Sequence, residues 1–101
     1  MEINALRRGQ RIIVRLSGEL DHHSAARVRG ALDLMLRDVT VREMQLDMTE
    51  VTFMDSAGLG VILGRYKTLS GRGGKMIVSG VRTPIDRIFR MSGLYALVER
   101  L

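Results

Sequence analysis

The chain has 101 residues and no cysteine, which excludes disulfides and thiolate metal sites and makes an intracellular protein the default expectation. Histidine is nearly as scarce: His22 and His23 are the only two and stand side by side. Adjacent residues after a strand point opposite ways rather than chelating, so no metal site is expected. No apolar run approaches the ~20 residues that span a bilayer, and the opening MEINALRR holds no signal-peptide core. No segment combines a wide apolar face, a basic face and a free end, so no membrane attachment is expected. Aromatic residues are only 4% (Phe53, Tyr66, Phe89 and Tyr95), too few to build a stacking platform for single-stranded nucleic acid. Linkers, repeats and low-complexity segments are also missing. What remains, 46% hydrophobic and 27% charged residues, describes one globular domain over residues 1–101.

The formal charge is +5, and its distribution is uneven. Residues 1–50 carry eight basic and eight acidic side chains, whereas residues 51–101 carry eight basic and three acidic ones. Arg65, Lys67, Arg72, Lys75, Arg82, Arg87 and Arg90 have only Asp86 among them. A basic nucleic-acid-binding domain is therefore the alternative reading.

Hydrophobic periodicity organises the chain. Arg11 to Ser17 (RIIVRLS) is β-branched and almost continuously apolar, as in a strand covered on both faces, and stops at Gly18. Ser24 reads as a helix N-cap, followed by Val28, Leu32, Met35 and Val39 at helical spacing. Met44, Leu46 and Met48 alternate with polar residues, which predicts a strand. Leu59, Ile62, Leu63, Tyr66 and Leu69 form the stripe of a second helix, broken by Gly71-Arg72-Gly73-Gly74. Lys75 to Ser79 reads as a short strand, and Pro84 as the first turn of a helix that stops at Gly93. Glu2 to Leu6 and Leu97 to Leu101 supply strands at opposite edges. Strands alternating with helices predict an α/β domain with a mixed, mostly parallel sheet and helices packed against it.

Val51 to Gly64 (VTFMDSAGLGVILG) is the informative stretch. It follows a parallel strand and runs into a helix, where open α/β sheets carry their functional groups. Ser56 heads that helix; read alone, it is an N-cap. Gly58, Gly60 and Gly64 then fall within the helix, each costing about 1 kcal/mol relative to alanine. Gly60 and Gly64 lie opposite the apolar stripe, so core packing does not explain them. A bare backbone beside an accessible serine suits close approach by another protein.

Phe53-Met54-Asp55-Ser56-Ala57-Gly58-Leu59-Gly60, with Gly18-Glu19-Leu20-Asp21-His22-His23 and Met91-Ser92-Gly93-Leu94, resembles the STAS domain of anti-anti-sigma factors. The sporulation antagonists of endospore-forming bacteria are the nearest in pattern. The resemblance covers nearly the whole chain in order. It implies a STAS-type fold and a phosphorylation-switched binding module without catalytic residues or a cofactor, working in the cytoplasm. Ser56 would be phosphorylated by a partner that is both serine kinase and anti-sigma factor, and restored by a serine phosphatase. The unphosphorylated form would bind that partner and release a sigma factor. Glu19 would belong to the docking surface and Asp21 would lie near Ser56, with Asp55, Ala57, Gly58, Gly60 and Gly64 completing the partner-binding set. The resemblance also implies a further helix after the last strand, whereas the sequence ends at Glu99-Arg100-Leu101.

Rival chemistries fit the residues less well. A nucleophile elbow needs Gly-x-Ser-x-Gly, and Met54 occupies its first glycine position. Gly71 to Lys75 lacks the hydroxyl residue of a phosphate loop, since Met76 follows the lysine, and the order there is helix, loop, strand.

Overall fold

The computed structural model describes all 101 residues. Its elements run β1 (Glu2–Arg8), β2 (Arg11–Leu20), α1 (Ala25–Leu36), β3 (Glu43–Met54), α2 (Ser56–Gly71), β4 (Lys75–Ser79), α3 (Thr83–Ser92), a 3₁₀ turn at Leu94–Ala96 and β5 (Glu99–Arg100). The five strands form one sheet in chain order, β1-β2-β3-β4-β5. β1 and β2 are an antiparallel hairpin, and every later pairing is parallel. The expected α/β architecture with a mixed, mostly parallel sheet is therefore the observed one.

Three crossovers that each step one strand in the same direction, with the usual right-handed sense, put α1, α2 and α3 on one face of the sheet. On that face Val14, Leu16, Met44, Leu46, Met76 and Val78 are fully buried and pack with Val28, Leu32, Ile62, Leu69 and Phe89 from the helices. Burying each of these side chains contributes roughly 1.5–3 kcal/mol. The opposite face is clad differently. Arg11 pairs with Glu43 at 2.9 Å, Glu43 with Lys75 at 3.5 Å, and Lys75 with Glu99 at 2.7 Å, so one ladder of alternating sign crosses four strands. β2 is therefore not covered by helices on both sides, as its apolar run suggested.

Several boundaries differ from the sequence pattern. β2 continues through Gly18 to Leu20, and β3 continues past Met48 to Met54. Against β2, β3 carries one extra residue twice: Arg15 and Ser17 face Asp47 and Glu50, while Gly18 and Glu19 face Val51 and Phe53. Each extra residue stretches the spacing of buried side chains from two to three, giving Met48, Val51 and Met54. That spacing hides the strand from a period-two reading. α1 ends at Leu36, which is buried with Val28 and Leu32; Val39 lies beyond the helix and is exposed. The last strand, expected over Leu97 to Leu101, shrinks to Glu99–Arg100, because the amides of Leu97 and Val98 still bond back to the Leu94 carbonyl.

α3 starts and stops as its sequence suggests. Pro84 sits in the first turn, and Gly93 closes the helix at φ 79°, where a residue with a Cβ is disfavoured. Asp86 then gathers the C-terminal segment: it accepts a hydrogen bond from the Tyr95 hydroxyl at 2.6 Å and pairs with Arg90 and Arg100.

Candidate functional site

β2 and β3 run parallel and end together, with Glu19 opposite Phe53 and Leu20 opposite Met54. The loop Asp21-His22-His23-Ser24 leaves one strand and Asp55-Ser56 leaves the other. The topology thus brings two segments more than thirty residues apart in sequence to one corner of the molecule, as at the strand ends of other open α/β sheets.

Asp55 joins them. It is the N-cap of α2, with extended backbone (φ −120°, ψ −172°), and its Oδ1 accepts from the amides of Ala57 at 3.0 Å and Gly58 at 3.1 Å. Its Oδ2 accepts from the His22 amide at 3.0 Å, and His22 Nδ1 lies 3.3 Å from the same oxygen. Burial works to raise the Asp55 carboxyl, but the amides of Gly58 and His22, the His22 ring and the Ala57 amide together hold it below the usual aspartate range.

Asp21 organises the facing loop. It is almost wholly buried, and its Oδ1 accepts from the amides of His23 at 2.9 Å and Ser24 at 3.1 Å. Burial opposes its ionisation, but those two amides and the nearby imidazoles outweigh it and keep the carboxyl low. Ser24 stands at the N-cap position of α1 without capping it. Its hydroxyl instead donates to the Glu19 carbonyl at 2.7 Å and accepts from the Asp21 amide at 3.1 Å.

Ser56 is the first residue of α2 rather than its cap. Because Asp55 already satisfies the first free amides, the Ser56 hydroxyl is exposed and makes no hydrogen bond within the protein. The isolated reading of this serine as an N-cap is corrected accordingly. The positive end of the α2 dipole lies directly behind the hydroxyl.

The three glycines of α2 divide into two kinds. Gly58 is buried, and a Cβ there would run into the carbonyl oxygen and the Cγ of Leu20, so close approach of α2 to β2 explains it. Gly60 and Gly64 have nothing within 4 Å of an added Cβ. They follow Ser56 at i+4 and i+8, so the serine and the two glycines form one outward row of bare backbone. Ala57 is half-buried at the head of the helix, and Glu19 is exposed. Of the residues expected to bind a partner, Glu19, Asp21, Asp55 and Ala57 lie at the same corner as Ser56, Gly60 and Gly64 extend outward from it, and Gly58 belongs to the helix-strand contact.

Two residues at this corner escaped sequence reasoning. His22 is engaged by Asp55, which only the parallel pairing of β2 and β3 reveals, and its ring centroid lies 3.9 Å from that of His23, so the adjacent histidines do not point opposite ways as expected. Phe53 is half-exposed beside Glu19, an apolar side chain left uncovered at the end of a strand. No lysine or arginine forms an ion pair with Glu19, Asp21 or Asp55. Much of the downstream basic charge is instead taken up elsewhere: Arg65 pairs with Asp33, Lys75 with Glu43 and Glu99, Arg82 with Glu50, and Arg90 and Arg100 with Asp86. No helix is long and apolar enough to cross a membrane.

Comparison with known proteins identifies the family of this chain. The model of the STAS domain family matches residues 2–101. The chain is 46% identical over 87 residues to the anti-sigma F factor antagonist of Paenibacillus polymyxa, covering 86% of this chain and 74% of that one. The solved structure of the anti-sigma factor antagonist SpoIIAA in its unphosphorylated form superposes with a TM-score of 0.80 at 23% identity, covering 99% of this chain and 87% of that one. The Bacillus cell fate determinant SpoIIAA in its phosphorylated form gives 0.79 at 26% identity, over 99% of this chain and 91% of that one. This chain belongs to the STAS-domain family, among the anti-sigma factor antagonists.

Proposed function

We propose that this domain is a phosphorylation-switched antagonist in which Ser56 is the switch. Unphosphorylated, the corner formed by Glu19, Asp21, Phe53 and the outward face of α2 binds an anti-sigma factor that is also a serine kinase, and a sigma factor is released. The kinase transfers the γ-phosphoryl group of ATP to Ser56 Oγ, releasing ADP, and a serine phosphatase reverses the modification. The domain is a substrate in both steps rather than an enzyme, and it acts in the cytoplasm. Its likeness to antagonists named for sigma F favours control of sporulation.

One observation carries this reading: the Ser56 hydroxyl is exposed and unengaged because its neighbour does the capping. A hydroxyl tied into the helix terminus would have to be released before it could accept a phosphoryl group. Ser56 is free at no structural cost. Phosphorylation adds about −1.5 to −2 charges and three acceptor oxygens beside the Asp55 carboxylate. It also sets that bulk at the head of the Gly60/Gly64 row, where a partner would pack against backbone. The α2 dipole offsets part of the added charge, by roughly 0.3–1 kcal/mol, so the fold persists while the docking surface is blocked.

The direct test is mass spectrometry after incubation with the cognate anti-sigma kinase and ATP. One phosphoryl group on the peptide containing Ser56, absent from Ser56→Ala, is expected. Modification at another residue, or none, would overturn the reading.

A further inference from the structure

β1 is the free edge of the sheet, and apart from Ile3 its residues are all exposed. A two-residue turn at Gly9-Gln10 joins it to β2, with Arg8 opposite Arg11. In such a hairpin the residues flanking the turn exchange both hydrogen bonds, and the pattern alternates from there. Glu2, Asn4, Leu6 and Arg8 therefore bond inward to β2, while the amides and carbonyls of Ile3, Ala5 and Arg7 point away from the sheet. No turn or cap uses those outward groups. The edge has neither a proline nor a bulge to blunt it, both of which commonly protect exposed strands.

The sequence of this edge complements itself. Laid antiparallel to its own copy about Ala5, it places Ala5 opposite Ala5 and Ile3 opposite Arg7, so every outward amide and carbonyl meets a partner. The same register sets Glu2 opposite Arg8 twice. Both residues lie on the helix-free face, and neither has an ion-pair partner within the protein, although Arg7, Arg11 and Arg15 all do. Leu6, 55% exposed and opposite Ile13, becomes the diagonal neighbour of its own copy, within reach of apolar contact. A shallow groove of about 320 Å³, lined by Asn4, Ala5, Leu6, Ile13, Arg15 and Asp47, lies open beside it.

We propose that the β1 edge is a self-association surface, through which two copies of this chain join in one antiparallel register centred on Ala5. The product is a continuous ten-stranded sheet with all helices on one side. The two Ser56 corners lie at opposite ends of that sheet, so pairing leaves both open and does not depend on phosphorylation. A seven-residue edge spans only about 24 Å, which belongs to the class of small, transient interfaces.

Sedimentation equilibrium of the untagged chain over a concentration series tests this. A reversible monomer-dimer equilibrium is expected, with substantial dimer by about 1 mM, the weak end of specific association. Ala5→Pro removes an outward amide that β2 does not use, a change tolerated on edge strands, and should abolish the dimer with an unchanged far-UV circular dichroism spectrum. Glu2→Arg and Arg8→Glu should each weaken the dimer about tenfold by setting like charges opposite one another. The double exchange Glu2→Arg/Arg8→Glu should restore it. A chain that stays monomeric at about 1 mM, a dimer that survives Ala5→Pro, or a double exchange that fails to restore association would each overturn the proposal.

Discussion

His22 and Asp55, 33 residues apart, are held together twice: the His22 amide donates to Asp55 Oδ2 at 3.0 Å, and the His22 ring nitrogen lies 3.3 Å from the same oxygen. The carboxylate that caps α2 thereby also fixes the loop entering α1. The presentation of Ser56 and the position of the Asp21 loop are consequently one structural unit.

Removing that carboxylate should loosen both segments. Asp55→Ala loses the cap and leaves the His22 amide without its partner, and should lower Tm by about 4–8 °C. Asp55→Asn keeps an acceptor oxygen for the helix amides and should retain more than half of the difference. Thermal unfolding followed by circular dichroism measures both. Equal Tm values for wild type and Asp55→Ala would contradict the capping role.

The two kinds of glycine in α2 should separate by substitution. Gly58→Ala drives a methyl group into Leu20 and should destabilise by about 1–3 kcal/mol, despite alanine's better helix propensity. Gly60→Ala meets open space and should stabilise by up to about 1 kcal/mol, yet weaken binding to the anti-sigma kinase. Urea unfolding together with calorimetric titration resolves the two effects. A Gly60→Ala variant that is more stable and binds unchanged would remove Gly60 from the docking surface.

Charge at position 56 should control partner binding. Ser56→Ala keeps the small, neutral head of the outward row and should bind the anti-sigma kinase in the presence of ADP about as tightly as wild type. Ser56→Asp should bind at least about tenfold more weakly, a difference of about 1.4 kcal/mol. Matching affinities for the two variants in calorimetry would count against the switch.

Acid should unfold the protein through its aspartates. The hydroxyl and amide of Thr40, with Arg7, hold the Asp38 carboxyl at about 2, well below its ordinary 3.8. Asp55, Asp21, Asp47 and Asp86 are shifted in the same direction. A depressed folded-state value means the unfolded chain takes up protons first, so the stabilisation is complete above about 4 and is lost as pH falls towards 2. Urea midpoints at stepped acid pH should decline across that window, and less steeply in Asp38→Asn. A slope identical to wild type would show that Asp38 is not among the groups responsible.

Much of the fold was legible because its strands and helices announce themselves by different periods. Met44, Leu46 and Met48 alternate, and Lys75 to Ser79 forms a strand over the expected residues. The second half of β3 was not legible, since two extra residues against β2 change the spacing of its buried side chains. The site divides in the same way. Ser56 and its glycines stood out by sequence, but Asp and Ser are comparable N-caps, and the choice between them is made by tertiary structure. Asp55 can reach His22 as well as the α2 amides, whereas a serine hydroxyl reaches only the latter. Gly58 looked like Gly60 until Leu20 was brought against it.

The ladder Arg11–Glu43–Lys75–Glu99 has a consequence for how the chain finds its own topology. Each charge is worth little on an exposed surface, but together the alternating signs act as an address for each strand. Exchanging the positions of β3 and β4 would set Arg11 beside Lys75 and Glu43 beside Glu99, turning attraction into repulsion at both junctions. The helix-free face thus carries a code for strand order, written in four residues, that the apolar face, where methionine, leucine and valine are nearly interchangeable, does not possess.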